Sequence, residues 1–151
     1  MKRFLITGAS RGIGRAIALK LAAPDVMLLL HGRDIGALAE TCRAAERTGA
    51  KTAKLIHDLA IFRGIDDLVA EVGHEPIDLL VNNAGIAVVK PFAEITRQEW
   101  EQTIGVNVTA PSNSMFRSAN AAGLEYRQYF VDCCENGVSK LEHILRQQIC
   151  P

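Results

Sequence analysis

The stretch ITGASRGIG, residues 6–14, places three glycines between an apolar run and a segment of helical periodicity. A glycine-rich turn from a strand into a helix lets the backbone approach a pyrophosphate, whose charge then lies among free N–H groups at the helix N-terminus. Gly8 and Gly12 are expected to make the turn and the close approach, and Gly14 to let helix and strand pack tightly. The alternative is a turn that uses glycine for positive φ and binds nothing. The strand before and the helix after favour the dinucleotide site.

Outward from this stretch, apolar runs alternate with segments of helical period, which predicts a parallel sheet covered by helices on both faces. The predicted strands are residues 2–6, 26–30, 52–56 and 77–81, and the predicted helices are 13–22, a second ending near 47, 61–72, and a fourth. The fourth helix begins at Thr96, where Thr96-x-x-Glu99 forms a capping-box pattern. The predicted fold class is α/β, with three α/β/α layers around a doubly wound sheet.

Composition limits the classes of partner. The 151 residues are enough for one domain, and the 17 basic residues balance the 17 acidic ones, so neither nucleic acid nor a membrane surface is expected as a partner. The apolar stretch near the N-terminus is too short for a signal peptide or a spanning helix, which predicts a cytoplasmic location. Cys42, Cys133, Cys134 and Cys150 have no metal-ligand spacing. We therefore expect free thiols, with no zinc site and no structural disulfide.

The end of the second strand bears on which dinucleotide binds. NAD enzymes usually place an acid there for the ribose 2′-hydroxyl, whereas a basic residue accommodates a 2′-phosphate. This chain continues with His31, Gly32 and Arg33 before the acid Asp34, and Arg11 lies inside the glycine-rich turn. NADP is therefore favoured over NAD. The alternatives are that Arg33 is a solvated surface charge and that Asp34 caps the second helix.

Four ordered motifs together resemble the short-chain dehydrogenase/reductase family. They are Thr7-Gly8-Ala9-Ser10-Arg11-Gly12-Ile13-Gly14, then Asp58 after the third strand, Asn82-Asn83-Ala84-Gly85 after the fourth, and Asn107 inside GVNVTAP. The resemblance covers residues 1–111 and implies a Rossmann-type, NAD(P)-binding domain. It also implies reversible hydride transfer between a carbonyl and an alcohol, so the expected substrate is a small molecule. Residues 112–151 would be a divergent, helical tail packed on the same domain.

The resemblance implies roles for individual residues. Asp58 would meet the adenine ring, and Asn82 with Ala84 and Gly85 would line the ribose on the nicotinamide side. Asn107 would help to hold a proton-relay water. Asp58 could instead cap the third helix, and Asn107 could be a helix asparagine whose hydrogen bonds are satisfied within the protein. The complete predicted cofactor set is Thr7, Gly8, Ser10, Arg11, Gly12, Ile13, Gly14, Arg33, Asp58, Asn82, Ala84 and Gly85.

The family's acid–base residues do not follow the motifs. In the family a tyrosine is the general acid, its pKa is lowered by a lysine one helical turn later (Tyr-x-x-x-Lys), and a serine on the fifth strand orients the substrate. Neither Tyr126 nor Tyr129 has a lysine four residues on, and the position four before Lys140 is Asn136. Ser139 begins a second capping-box pattern and is predicted to cap a helix. The catalytic residues carried over are thus limited to Asn107.

The segment 112–151 departs from the family pattern, and residues 129–134 are a weak candidate for a fifth strand. The fold is therefore predicted to be C-terminally truncated or divergent. Two functions remain open: an NADP-dependent oxidoreductase of the family's type, or a catalytically inactive nucleotide-binding or assembly module from a truncated or frameshifted member. The resemblance also allows a homo-oligomer, because the fourth helix commonly forms subunit interfaces in this family.

Overall fold

A computed structural model describes residues 1–113 and 128–130 of the chain. The elements are β1 (Lys2–Ile6), α1 (Gly12–Leu21), β2 (Val26–His31), α2 (Ile35–Glu46), β3 (Lys51–Leu55), α3 (Phe62–Val72), β4 (Leu79–Asn82), α4 (Arg97–Ile104) and β5 (Gln128–Phe130). A 3₁₀ turn at Phe92–Glu94 precedes α4, and a π-helical turn at Gly105–Thr109 follows it. The predictions on Tyr126, Cys133, Cys134, Asn136, Ser139, Lys140 and Cys150 lie outside the described residues.

The five strands form one sheet in the order β3-β2-β1-β4-β5, and every pairing is parallel. Ile6 of β1 lies opposite Leu30 of β2 on one side and Val81 of β4 on the other. The chain thus runs outward from β1 to β3 and returns to the far side of β1 with β4. The predicted doubly wound α/β fold is confirmed, with a switch point between β1 and β4.

Apolar residues on both faces of the central strands explain the three layers. Ile6 and Leu30 pack in one core with Ile17 of α1 and Leu38 of α2. On the opposite face, the second core is formed mainly by β-strand leucines and residues of α3 and the turn after α4: Leu5, Leu29, Leu55, Leu80, Ile65, Leu68 and Val106. Strands buried on both faces need nearly continuous apolar runs, as in VMLLLH.

Several predicted boundaries shift. The fourth strand is predicted at residues 77–81, but β4 is Leu79–Asn82, because its register with β1 begins with Leu79 opposite Phe4. The fifth strand starts at Gln128 rather than at residue 129, and it pairs with β4 with Tyr129 opposite Val81. The open edge of β4 needs a hydrogen-bonding partner, which explains why a segment without a clear apolar run joins the sheet.

The start of α4 is as predicted. Thr96 Oγ1 accepts from Glu99 N at 3.2 Å, and Glu99 Oε2 accepts from Thr96 N at 2.8 Å, so both halves of the capping box are formed. Cys42 is a buried free thiol of α2. None of the helices in residues 1–113 combines the length and the apolar character that crossing a bilayer requires.

Candidate functional site

A cleft of about 320 Å³ opens at the carboxyl-terminal edge of the sheet, around the switch point between β1 and β4. Ligands of open α/β sheets bind at this position, since the loops after the parallel strands meet there. Seven of the predicted cofactor residues line the cleft: Gly8, Ser10, Arg11, Arg33, Asp58, Ala84 and Gly85. The sequence pattern therefore identified residues that the fold brings together from the loops after all four of the first strands.

The other predicted residues do not line this cleft. Thr7, Gly14 and Asn82 are buried behind it, Gly12 and Ile13 begin α1, and Asn107 lies in the π-helical turn. The lining also contains residues with no predicted role at the cleft: His31, Gly32, Asp34, Leu59, Asn83, Ile86 and Val106. Of these, His31 and Asn83 make the hydrogen bonds that hold the loops in place.

The loop between β1 and α1, residues 7–11, is here called the glycine-rich loop. Gly8 has φ +68°, and a Cβ there would lie 2.9 Å from Ala84 Cα, so this position needs glycine for both conformation and space. Gly12 has φ +57° with nothing within 4 Å of a Cβ, so its surface is open. A Cβ on Gly14 would collide with the Gly8 carbonyl, which is the close packing of helix on strand expected for this glycine.

The loop after β4 is bonded to the start of the glycine-rich loop. Thr7 Oγ1 accepts from the backbone N–H groups of Asn83 and Ala84, both at 3.0 Å. The Asn83 side-chain amide donates to Thr7 O at 3.0 Å and to Gly8 O at 3.1 Å. A buried threonine and one asparagine thus lock two loops far apart in sequence into one wall. Asn83 stands inside the quoted motif Asn82-Asn83-Ala84-Gly85, which is the signal by which it could have been found.

The charged residues of the cleft are two arginines and two acids. Arg33 Nη1 lies 3.8 Å from Asp58 Oδ1, with the side chains 62% and 48% exposed, so this ion pair contributes little stability and is open to exchange for another anion. Asp34 Oδ1 accepts from Ala37 N at 3.0 Å, which confirms Asp34 as the N-cap of α2. Arg11 is exposed at the N-cap position of α1.

Asp58 does not cap α3, contrary to one of the alternatives. Its Oδ1 accepts from Ala60 N at 3.0 Å, a turn that ends before the helix begins at Phe62. The N-cap of α3 is Ile61, which makes no side-chain cap bond. The physical reason is distance along the chain, since a cap must precede the first helical residue directly.

His31 is the last residue of β2, and it is 3% exposed. Its Nδ1 accepts from Gly8 N at 3.4 Å, and its Nε2 lies 3.0 Å from the carbonyl oxygen of His57. Burial lowers the pKa of His31 from its ordinary value, because the charged ring would lose its hydration. The signal in the sequence was a histidine that ends an otherwise apolar strand.

Asn107 is joined to the loop after β4. Its Oδ1 accepts from Ile86 N at 2.9 Å, and its Nδ2 donates to Ile86 O at 2.8 Å. Both polar groups of the Asn107 side chain are therefore hydrogen-bonded within the protein, as the alternative of a satisfied asparagine predicts. The π-helical turn at Gly105–Thr109 is a helix irregularity of a kind that is frequent at functional sites, and here it carries the residue that fixes the chain after Gly85.

The residues of the cleft fit a dinucleotide. Within the described part of the chain, the buried Ser10 Oγ has no hydrogen-bond partner, and it belongs to the cleft wall. A buried hydroxyl normally finds a partner, and a phosphate oxygen would supply one. The open surface at Gly12, at the N-terminus of α1, gives the backbone N–H groups access to an anion. Arg11 and Arg33 supply positive charge at the same edge.

Comparison with known proteins agrees with this geometry. The family described as short chain dehydrogenase matches residues 2–122. Gluconate 5-dehydrogenase from Gluconobacter oxydans is 36% identical over 110 residues, which are 72% of this chain and 43% of that protein. L-xylulose reductase from Mesocricetus auratus is 34% identical over 112 residues, again 72% of this chain and 42% of the relative. The match therefore spans less than half of the length of these relatives.

Solved structures show the same fold. A short-chain dehydrogenase from Sphingobium yanoikuyae in complex with NADPH has a TM-score of 0.74 and 29% identity, covering 80% of this chain and 48% of that one. A metagenomic short-chain oxidoreductase in complex with NADP also has a TM-score of 0.74, with 33% identity over 80% of this chain and 56% of that one. The family match extends beyond residue 111, where the recognisable motifs end. The chain belongs to the short-chain dehydrogenase/reductase family of oxidoreductases.

Proposed function

We propose that this chain binds NADP(H) as the nucleotide-binding part of an oxidoreductase that transfers hydride between NADP(H) and a small-molecule carbonyl or alcohol. One observation carries the choice of cofactor. Arg33 and Asp34 both line the cleft, but Asp34, the first acid after β2, is engaged through its Oδ1 as the N-cap of α2. A 2′-phosphate would be met by a guanidinium, whereas a 2′-hydroxyl would lack the usual acid.

The residues of the chain would divide the cofactor between them. Ser10, Arg11 and the N–H groups at the start of α1 would hold the phosphates, and Arg33 the 2′-phosphate. Asp58 would lie by the adenine, while the Asn82, Ala84 and Gly85 segment would line the nicotinamide-side ribose. Asn107, in the π-helical turn after α4, would help to hold a proton-relay water. The bound cofactor would supply the hydride. The protein would hold the cofactor in position and neutralise the charge of its phosphates.

The relatives support this assignment. The relatives named above are a dehydrogenase and a reductase, and the two similar structures hold NADPH or NADP. The match covers less than half of the curated relatives, so the substrate and the activity of the whole protein remain part of the proposal. The cytoplasm remains our predicted location.

A homo-oligomer through α4 is also proposed. Trp100 and Ile104 of that helix are 53% and 37% exposed, which leaves apolar surface for a second copy. Light scattering of the purified chain measures its mass in solution, and a monomer at all concentrations would contradict this part of the proposal.

With 17 basic and 17 acidic residues, the charge balance gives no support for nucleic acid as a partner.

Replacing Arg33 tests the choice of cofactor. A charge-assisted hydrogen bond contributes on the order of 1.5 to 3 kcal/mol, so Arg33→Ala is expected to weaken NADPH binding by about tenfold or more. Binding of NADH, which has no 2′-phosphate, is expected to change little. Calorimetric titration with both cofactors measures the two effects. Arg43→Ala, which removes an exposed arginine of α2 that does not line the cleft, is the matched control. An equal loss for NADPH and NADH would contradict the proposal.

A further inference from the structure

The backbone of Gly8 is held from both sides by side chains. Gly8 N donates to His31 Nδ1 at 3.4 Å, and Gly8 O accepts from Asn83 Nδ2 at 3.1 Å. One side chain comes from the end of β2 and the other from the loop after β4, the two neighbours of β1 in the sheet. Gly8 has φ +68°, so the bonds fix a residue with many accessible conformations. The geometry of the glycine-rich loop therefore depends on these two side chains.

The two hydrogen bonds of His31 define its protonation state. The His57 carbonyl oxygen can only accept, so the His31 Nε2 that lies 3.0 Å from it carries the proton. Nδ1 accepts from Gly8 N and is therefore unprotonated. The ring is neutral, and both of its nitrogens are used in holding the loop to the segment after β3.

A second proton on the ring would disrupt this arrangement. Nδ1–H would face the Gly8 N–H group, and two donors cannot bond to each other. The charged and titratable groups that act on the ring are Arg33, two residues after it, and His57 and Asp58 after β3. Glu71 of α3 is bound to the His57 side chain at 2.6 Å, and Arg11 and Asp34 line the same cleft. Asn83, which donates to the Gly8 carbonyl oxygen, has no titratable group.

We infer that His31 is a positioning residue for the cofactor: its neutral ring holds the Gly8 N–H group, and its protonation in acid releases the loop and weakens NADP(H) binding. This inference rests on the proposed function. His31 acts through Gly8 and need not touch the cofactor itself. The backbone bond from Ala9 N to His31 O at 2.8 Å persists in either protonation state, so release is partial.

The test compares two substitutions by calorimetric titration with NADP⁺ from about pH 8 down to about pH 4, because burial moves the pKa of His31 below the ordinary histidine value of about 6.5. His31→Leu removes the acceptor and is expected to weaken binding about three- to tenfold at neutral pH, the value of one neutral hydrogen bond. His31→Asn places Oδ1 where Nδ1 lies, loses the bond to His57 O and does not titrate, so it is expected to bind more tightly than His31→Leu at neutral pH and to show no loss through this side chain in acid. His74→Asn makes the same change at an exposed histidine outside the cleft and serves as the control.

The readout specific to positioning is the ratio of native to His31→Asn affinity. The cofactor phosphate titrates near pH 6 and affects both proteins equally, so it cancels in this ratio. The ratio is expected to fall several-fold as the pH drops below the ordinary histidine pKa of about 6.5, because the pKa of His31 is lowered by burial. A constant ratio, or equal affinity of His31→Leu and the native chain, would overturn this inference and leave the proposed function standing. Failure of the native chain to bind NADP⁺ at any pH would instead contradict the proposed function.

A measurement on the native chain covers the case in which a variant does not fold. The ¹⁵N chemical shifts of the His31 ring report which nitrogen carries the proton, with no cofactor present. Protonation at Nε2 and slow exchange of the Gly8 amide are expected. Protonation at Nδ1, or a Gly8 amide that exchanges as fast as an exposed loop amide, would overturn the inference.

Discussion

The two sides of the switch point differ in how far they are packed. On the β1 side, Thr7, Ala9 and Ser10 of the glycine-rich loop are 4%, 0% and 8% exposed. On the β4 side, Val89 and Phe92 between β4 and α4 are 96% and 79% exposed, and α4 itself buries no residue. The difference shows that the cofactor half of the site is fixed by the sheet and its cores. Among residues 1–113 the surface beyond β4 is open, and we predict that cofactor binding depends on the packed side and can be separated from turnover.

The largest expected effect is on turnover. With general acid catalysis worth about 100- to 10,000-fold, and no Tyr-x-x-x-Lys in the sequence, the purified chain is expected to oxidise NADPH with ketones and aldehydes at least that much more slowly than a complete family member. NADPH absorbance measures this. Asn136→Tyr, which recreates the spacing to Lys140, is expected not to rescue, because the predicted helix begins at Ser139. Robust turnover that depends on Tyr126 or Tyr129 would break the separation of binding from catalysis.

The next effect concerns the packed side alone. Gly12→Val is expected to weaken both NADPH and NADH beyond detection, because the side chain would occupy the open surface at the start of α1. Gly73 also has a positive φ, +77°, with nothing within 4 Å of a Cβ, but it lies at the end of α3. Gly73→Val therefore also places a side chain at a positive φ, away from the cleft, and should retain binding in calorimetry. Retained affinity in Gly12→Val would mean that the glycines only shape a turn.

A smaller effect is the pH dependence of stability. Because the pKa of His31 is lowered below 6.5 in the folded chain, the unfolded chain binds this proton more readily below about pH 6.5. The free energy of unfolding should therefore rise with pH up to that point, by at most about 1.4 kcal/mol per pH unit from this group, and be level above it. Urea denaturation at a series of pH values measures the slope. His31→Asn should reduce it and His74→Asn should not; identical slopes would contradict the assignment.

The smallest effect is on the open side. Thr96→Ala removes the cap of α4 and is expected to lower the free energy of unfolding by about 0.5 to 2 kcal/mol. The hydrogen bond from Lys90, with those from Thr96, lowers the pKa of Glu99 to about 2, so the carboxylate half of the box is charged in any neutral assay. NADPH affinity should not change, since Thr96 does not line the cleft. A loss of affinity as large as that of Arg33→Ala would show that the two sides are coupled.

Local signals predicted much of this molecule correctly. The caps at Asp34 and Thr96 join residues three positions apart, and the glycine pattern sets the conformation of one short turn. The apolar runs gave the right strands because a parallel sheet buries both faces of each strand. The predicted first residues of β4 and β5 were wrong, because the limits of these strands depend on their register with a neighbouring strand. No local pattern in the sequence records that register.

The sequence by itself determined the family, the order of strands and helices, and half of the residues that line the cleft, because each depends on a short motif or a local periodicity. The tertiary structure alone decided how that cleft is held. The bonds from His31 and Asn83 to Gly8 span 23 and 75 positions, and those from Asn107 to Ile86 span 21. A hydrogen bond depends on donor and acceptor lying about 3 Å apart, and over such separations only the packed sheet sets that distance.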